Sequence, residues 1–152
     1  MGSTFVTLGT DAFGHPASGE KQAGFWMQDS ILELWLRLLA LHIKGPGQSG
    51  DIANAIRNRW LFASRRHFMR CIPHFFEEAT STGEGFTLVD HAVRSLSVAL
   101  ASVTGRLCGE TLSLMCFENE MGDVEIAVLR DATAAFRDLL NRKAANPDEP
   151  RK

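Results

Sequence analysis

A fourteen-residue segment, residues 30–43, constrains the fold of this chain more than any other part of the sequence. It reads SILELWLRLLALHI, and ten of its residues are apolar. On a helix these side chains cover almost the whole circumference, which is typical of a helix buried in a protein core or in a membrane. Fourteen residues span only about 21 Å, which is short of the ~30 Å hydrocarbon layer of a bilayer. The segment therefore predicts the central helix of a helical bundle, and no membrane partner is expected.

Composition and charge place the chain among ordinary globular proteins. It has 152 residues, 45% of them hydrophobic, and a formal net charge of -2. A single domain of this size can bury a substantial core, and the slightly acidic balance argues against a general nucleic-acid binder. The three cysteines form no CxxC pair, which fits free thiols in a reducing compartment. The first twenty residues lack a basic start and an apolar run, so we expect no signal peptide and predict a cytoplasmic location.

Apolar periodicity and helix-capping residues predict five helices. Their expected bounds are residues 30–43, 51–63, 73–81, 87–103 and 123–143. Ser30 with Glu33, and Thr87 with Asp90, have the form of capping boxes at two of the starts. Residues 110–121 fit either a short helix or a strand, and a strand there would pair with residues 124–129 across a turn.

Three parts are predicted along the chain. Residues 1–24 contain five glycines and few large apolar side chains, which predicts an irregular N-terminal arm. Residues 25–145 form the helical domain, and residues 146–152 have the composition of a disordered tail. The predicted fold class is therefore all-α: a single-domain bundle of five or six helices around a central hydrophobic helix, with a short β-hairpin near residues 111–129 as the alternative for its ambiguous segment.

A basic stretch within residues 57–70, which we name the arginine ridge, is the first candidate site. Its five arginines are Arg57, Arg59, Arg65, Arg66 and Arg70, and Trp60, Phe62 and Phe68 are interleaved with them. Three interpretations stay open. The ridge could pair internally with the later acidic residues Glu110, Glu118, Glu120, Asp123 and Glu125, contact an acidic protein partner, or bind nucleic acid through arginine and aromatic side chains.

A second candidate combines metal-ligating side chains. His67, Cys71, His74 and Glu78 are spaced four, three and four residues apart, which would align them on one face of an uninterrupted helix. Imidazole, thiolate and carboxylate are all reasonable ligands of zinc or iron. Pro73 interrupts the helix in the middle of the set. The plain interpretation, a small buried cysteine and two histidines beside a solvated acid, is therefore favoured, and no cofactor is predicted.

Aromatic residues near the helix ends form the third candidate. They are Phe25, Trp26, Phe75, Phe76 and Phe86, and the chain has no tyrosine. Tyrosine is the usual choice where a ring must also meet water, so its absence favours burial of these rings in the core. A dimer interface or a groove for an apolar peptide is the alternative.

Catalytic motifs are missing from the sequence. It has no GxSxG and no GxxxxGK[ST], and its one GxGxxG match, residues 45–50, follows a predicted helix rather than a strand. We therefore predict a non-enzymatic helical interaction module that binds a protein partner or associates with itself, as an adaptor, an immunity-type inhibitor or a small assembly subunit. The arginine ridge is the predicted contact, and the N-terminal arm is the second choice. The alternatives are a nucleic-acid-contacting subunit of a larger complex and a small helical metalloprotein or enzyme that uses His67, His74, Glu77 and Glu78.

Overall fold

A computed structural model of the protein describes residues 3–8, 24–44, 50–65, 72, 74–109 and 123–144. These residues are mostly helical, which confirms the predicted helical class. In chain order the elements are β1 (Ser3–Thr7), β2 (Gly24–Gln28), α1 (Asp29–His42), α2 (Gly50–Arg65), α3 (Phe76–Ala79), α4 (Gly83–Ala101), β3 (Arg106–Leu107), β4 (Val124–Glu125) and α5 (Ile126–Ala144). The predicted tail, residues 146–152, lies outside the described residues.

The prediction of an irregular N-terminal arm is wrong for Ser3–Thr7. These residues form β1, which pairs antiparallel with β2 so that Phe5 lies opposite Trp26. Aromatic and β-branched side chains such as Phe5 and Val6 fit a pleated, half-buried surface, and Val6 is fully buried. The segment therefore gains a strand by long-range pairing that its local composition does not indicate. Residues 9–23 of the predicted arm lie outside the described part of the chain.

The start of α1 also differs from the predicted capping box at Ser30. The helix begins at Asp29, and Gln28 occupies the N-cap position in an extended conformation without a side-chain hydrogen bond. The reason is that β2 ends at Gln28 and the chain turns directly into the helix. The Thr4 hydroxyl of β1 donates a 2.8 Å hydrogen bond to the Asp29 carboxylate, so the sheet and the helix start are joined.

The start of α4 is earlier than predicted. Thr82 is the N-cap, and its hydroxyl accepts a 3.1 Å hydrogen bond from the backbone N–H of Gly85. Thr87 is already inside the helix, where its hydroxyl donates to the carbonyl four residues before it, so its predicted capping box with Asp90 is wrong. The N-cap is a threonine, as predicted, but it is Thr82 and not Thr87, five residues earlier in the chain. Asp90 and Arg94 form an ion pair on the exposed face at 3.0 Å.

The short helix predicted at residues 73–81 is confined to α3. It begins at Phe76 because Phe75 has a φ of 61°, in the left-handed region, which large side chains rarely adopt. The chain therefore changes direction at Phe75 before α3 begins. The N–H of Ile72, in the segment leading to this bend, donates to the Thr4 hydroxyl at 3.0 Å.

A second small sheet precedes α5. Val124–Glu125 pair antiparallel with Arg106–Leu107. The hairpin that the sequence offered as an alternative near residues 111–129 would instead pair residues 124–129 with a strand within residues 111–116. Residues 110–122 lie outside the described ranges. The N–H of Ile126 donates to the carbonyl of Gly105 at 3.0 Å, which joins the start of α5 to the turn after α4.

An aromatic cluster joins four helices in the core. The Phe76 ring of α3 lies 4.5 Å from Phe136 of α5 and 5.8 Å from Trp60 of α2, measured between ring centroids. Trp35 of α1 makes edge contacts with Phe76 at 5.6 Å and with Phe136 at 5.3 Å. All four rings are fully buried. The Trp35 indole N–H donates a 3.1 Å hydrogen bond to Thr133, which satisfies the polar atom that a buried tryptophan carries.

Helix α1 contributes much of the buried surface. Its buried residues are Leu32, Leu34, Trp35, Leu36, Leu39 and Ala40. The helix packs against α2 and α4 and also contacts both strands of the first sheet. Leu41, near its C-terminal end, is the exception, because 72% of its surface is exposed.

Candidate functional site

The first arginine of the ridge, Arg57, is engaged at the end of α1. Its guanidinium donates to the carbonyls of Ala40 and Ile43 and to the side-chain oxygen of Asn54. The last carbonyls of a helix have no partner within the helix, and they carry partial negative charge. Arg57 therefore satisfies carbonyl groups at the C-terminal end of α1, which is a structural role.

Arg59, two positions further along α2, is arranged differently. Its guanidinium forms an ion pair with Glu78 of α3 and lies 5.2 Å from the centre of the Phe75 ring. The Arg59 and Glu78 side chains are 47% and 59% exposed. An ion pair with this much solvent contact contributes about 0–1 kcal/mol, so a competing carboxylate can replace Glu78 at little cost.

A cleft opens beside this ion pair, between α2 and α3. Its volume is about 160 Å³, and most of its exposed wall is apolar. Arg59 and Glu78 form its charged side, and the other lining residues are Ala55, Ile56, Trp60, Phe75 and Ala79. Cation, carboxylate and apolar wall together form an amphipathic site for a small ligand or for one side chain of a partner.

Trp60, one wall of the cleft, carries an unsatisfied polar atom. Its side chain is fully buried, and its indole N–H has no hydrogen-bond partner. Leaving a buried donor unpaired costs about 1–3 kcal/mol. By contrast, Trp35 in the same aromatic cluster has a partner for its N–H. Of the two tryptophans in the cluster, the one that lines the cleft is therefore the one whose N–H has no partner.

One interpretation of the arginine ridge is that it pairs with the acidic residues of 110–125. The structure describes two of its arginine side chains, Arg57 and Arg59. Neither Arg57 nor Arg59 pairs with Asp123 or Glu125, the two acidic residues of that region that the structure describes. Within that acidic region, Asp123 lies 3.8 Å from Arg106, whereas Glu110, Glu118 and Glu120 lie outside the described residues. The side chain of Arg65, and Arg66 and Arg70 as a whole, also lie outside them.

The predicted metal-ligand set is only partly described, since His67 and Cys71 fall outside the described residues. His74 uses both of its ring nitrogens: Nδ1 accepts from the Phe76 N–H at 3.2 Å, and Nε2 lies 3.3 Å from the Phe5 carbonyl. Glu78 is held by Arg59. Among the described residues, no three His, Cys, Asp or Glu side chains lie close enough together to hold a metal ion.

The environment of His74 favours its neutral form. Burial lowers the pKa of His74 below its ordinary value of 6.5, while the nearby Glu77 carboxylate and the Phe5 carbonyl oppose this shift. Because Nδ1 accepts a hydrogen bond from a backbone N–H, the ring proton belongs on Nε2, where it is donated to Phe5. The ring also stacks on Phe76 at 4.6 Å. Neutral His74 therefore links β1 to the start of α3.

Sequence reasoning missed the cleft and one arginine contact. The predicted burial is confirmed for Trp60, which is fully buried, whereas Phe75 is half-buried; both residues also line the cleft. Sequence reasoning also missed that Arg130 of α5 donates to the carbonyls of Leu100 and Val103 at the end of α4. The only sequence signal for these roles is the position of each arginine on a helix face, which does not indicate its partner.

Comparison with known proteins found no similarity: no family model, no curated protein and no solved structure matches this chain. None of the helices in the described ranges combines the length and apolar character needed to cross a bilayer.

We predict that Arg57→Met lowers the free energy of unfolding by about 1–3 kcal/mol, because hydrogen bonds from a charged donor to the end of α1 are lost. Arg94→Met is the matched control. Arg94 is exposed, and its ion-pair partner in the described part of the chain is Asp90 one turn away, so its loss costs less than about 0.5 kcal/mol. Urea denaturation measures both variants, and equal losses would contradict the structural role of Arg57.

We predict that the free energy of unfolding falls as the pH drops below about 6.5, because the unfolded chain then binds a proton that folded His74 resists. Above that pH the contribution of His74 is fully present. His42, whose pKa is also lowered by burial, acts in the same direction. His74→Gln removes the His74 part, so the fall between pH 7 and pH 5 is smaller in urea titrations. Parallel curves for the two proteins would show that His74 contributes nothing.

Proposed function

We propose that this protein is a non-enzymatic interaction module that binds a protein partner through the α2 side of the arginine ridge. The observation that carries the proposal is the position of Arg59. Its half-exposed guanidinium stands at an apolar cleft, where its partners among the described residues are the exposed Glu78 carboxylate and the Phe75 ring. Arginine beside a well-packed apolar pocket is a frequent arrangement at the energetic centre of protein interfaces.

The architecture that presents this surface is, in our interpretation, a single-domain bundle with α1 at its centre. Support comes from the four α1 side chains with no exposed surface: Leu32, Trp35, Leu36 and Leu39. Support also comes from the packing of α1 against α2 and α4. We further propose a cytoplasmic location, because the exposed free thiol of Cys108 suits a reducing compartment.

Self-association is the second form of the proposal, and a different surface favours it. Trp26 on β2 is 69% exposed, and its ring lies 5.2 Å from Phe5 on β1. Tryptophan is enriched at protein interfaces, where a large ring gains by leaving water. The Phe5–Trp26 pair is therefore the part of the first sheet that a second copy would cover.

The other two functional alternatives have less support. Nucleic-acid binding needs arginines free to meet phosphates, and Arg57 is committed to the end of α1. The metalloprotein alternative needs His74 as a ligand, and both of its ring nitrogens already have partners. We therefore favour a protein contact over either of them.

The test is the mass and composition of the native complex, measured by light scattering and mass spectrometry after gentle purification from the source organism. We predict a stoichiometric protein partner with the wild-type chain and with the control Arg94→Gln, and its loss with Arg59→Gln. If the complex is a homodimer, Trp26→Ser lowers the mass to that of one chain, because the exposed ring that drives pairing is removed.

A monomer without partners would contradict the proposal. So would a complex that keeps its composition in both Arg59→Gln and Trp26→Ser. A shift of a labelled oligonucleotide that disappears with rising salt would instead support the nucleic-acid alternative.

A further inference from the structure

The cleft between α2 and α3 has a size that limits what can enter it. An apolar cavity of about 150 Å³ holds a benzene ring, and this cleft measures about 160 Å³. One aromatic or large aliphatic side chain therefore fits, whereas a helix or a nucleotide does not. Ala55 stands on the exposed surface of α2 and lines the cleft, so its small side chain leaves the entrance open.

The charges around the cleft select among apolar occupants. Arg59 is the cation on its α2 wall, and Glu78 is the carboxylate on its α3 wall. Glu78 is the present partner of Arg59, but both side chains are about half exposed. A carboxylate delivered together with an apolar group competes with Glu78 on comparable terms, because the bound group holds that carboxylate beside Arg59.

Trp60 lines the cleft with a fully buried side chain. Its indole N–H has no acceptor and almost no accessible surface, so a ring bound in the cleft lies beside Trp60 without bonding this N–H. The Trp60 indole signal therefore reports occupancy of the cleft. Phe75, on the opposite wall, is held at a φ of 61°, and strain of this kind is often found at binding sites.

We propose that the α2–α3 cleft is the anchor pocket for an acidic segment of a protein partner. An aromatic side chain of that segment enters beside Ile56 and Trp60, and a neighbouring carboxylate of the same segment takes the place of Glu78 on Arg59. The inference rests on the proposed function and names the chemistry of the partner. It predicts that small aromatic carboxylates, which carry both groups, bind the isolated protein.

The experiment uses 3-phenylpropionate as the probe, with 3-phenylpropylamine and 3-phenylpropan-1-ol as charge controls. The chain has three tryptophans, so ¹⁵N–¹H spectra show three indole signals, which Trp26→Phe helps to assign. We predict that millimolar 3-phenylpropionate moves the Trp60 signal and leaves those of Trp26 and Trp35 in place. The alcohol should bind more weakly and the amine least, because Arg59 repels it.

Two pairs of proteins test the location. Ala55→Phe fills the mouth of the cleft and should abolish the response, whereas Asn58→Phe adds the same ring to an exposed position of α2 outside the cleft and should keep it. Arg59→Gln should make the acid and the alcohol bind equally, whereas Arg94→Gln should preserve their difference. Neither Arg59→Gln nor Arg94→Gln touches the core, so these variants serve even if Ala55→Phe fails to fold.

The proposal is overturned if the Trp60 signal does not move. Equal binding of acid, alcohol and amine to the wild-type protein, or an unchanged response in Ala55→Phe, also overturns it. These outcomes are separate from those of the purification experiment. If binding of the partner depends on Arg59 but 3-phenylpropionate does not move the Trp60 signal, the proposed function stands and only this inference is removed.

Discussion

The contacts of the Phe76 ring hold the rest of this structure in place. Helix α3 has only four residues and cannot be stable alone, so its position depends on the rings that surround Phe76. Trp35, Trp60 and Phe136 bring α1, α2 and α5 to the same point. His74 extends the cluster to β1 by stacking on Phe76 and donating to Phe5. One buried ring therefore connects the helical body with the first sheet.

Arginines complete the framework and form the candidate surface. Arg57 and Arg130 each donate to carbonyls at the end of a neighbouring helix, so side chains that look like free surface charge are used to join α2 to α1 and α5 to α4. Arg59 differs because, within the described ranges, its partners are the exposed Glu78 carboxylate and the Phe75 ring beside the cleft. The aromatic cluster places α3 against α2, and this placement creates the cleft that Arg59 borders.

Apolar periodicity was enough to predict the long helices, because each buries one face and the spacing of that face is local. The strands were not predictable in this way, since β1 gains its order by pairing with β2 far along the chain. The partners of the arginine ridge were not predictable for the same reason. Its charge is visible in the sequence, but the carbonyls that Arg57 meets and the carboxylate that Arg59 meets depend on how α2 packs against α1 and α3.

The most direct test of this account compares two leucines of α1 that stand two positions apart. Leu39 is fully buried and Leu41 is 72% exposed. If α1 is the buried centre of the molecule, Leu39→Ala lowers the free energy of unfolding by about 2–5 kcal/mol, while Leu41→Ala changes it by no more than about 0.5 kcal/mol. Similar losses for the two variants in urea denaturation would contradict the account.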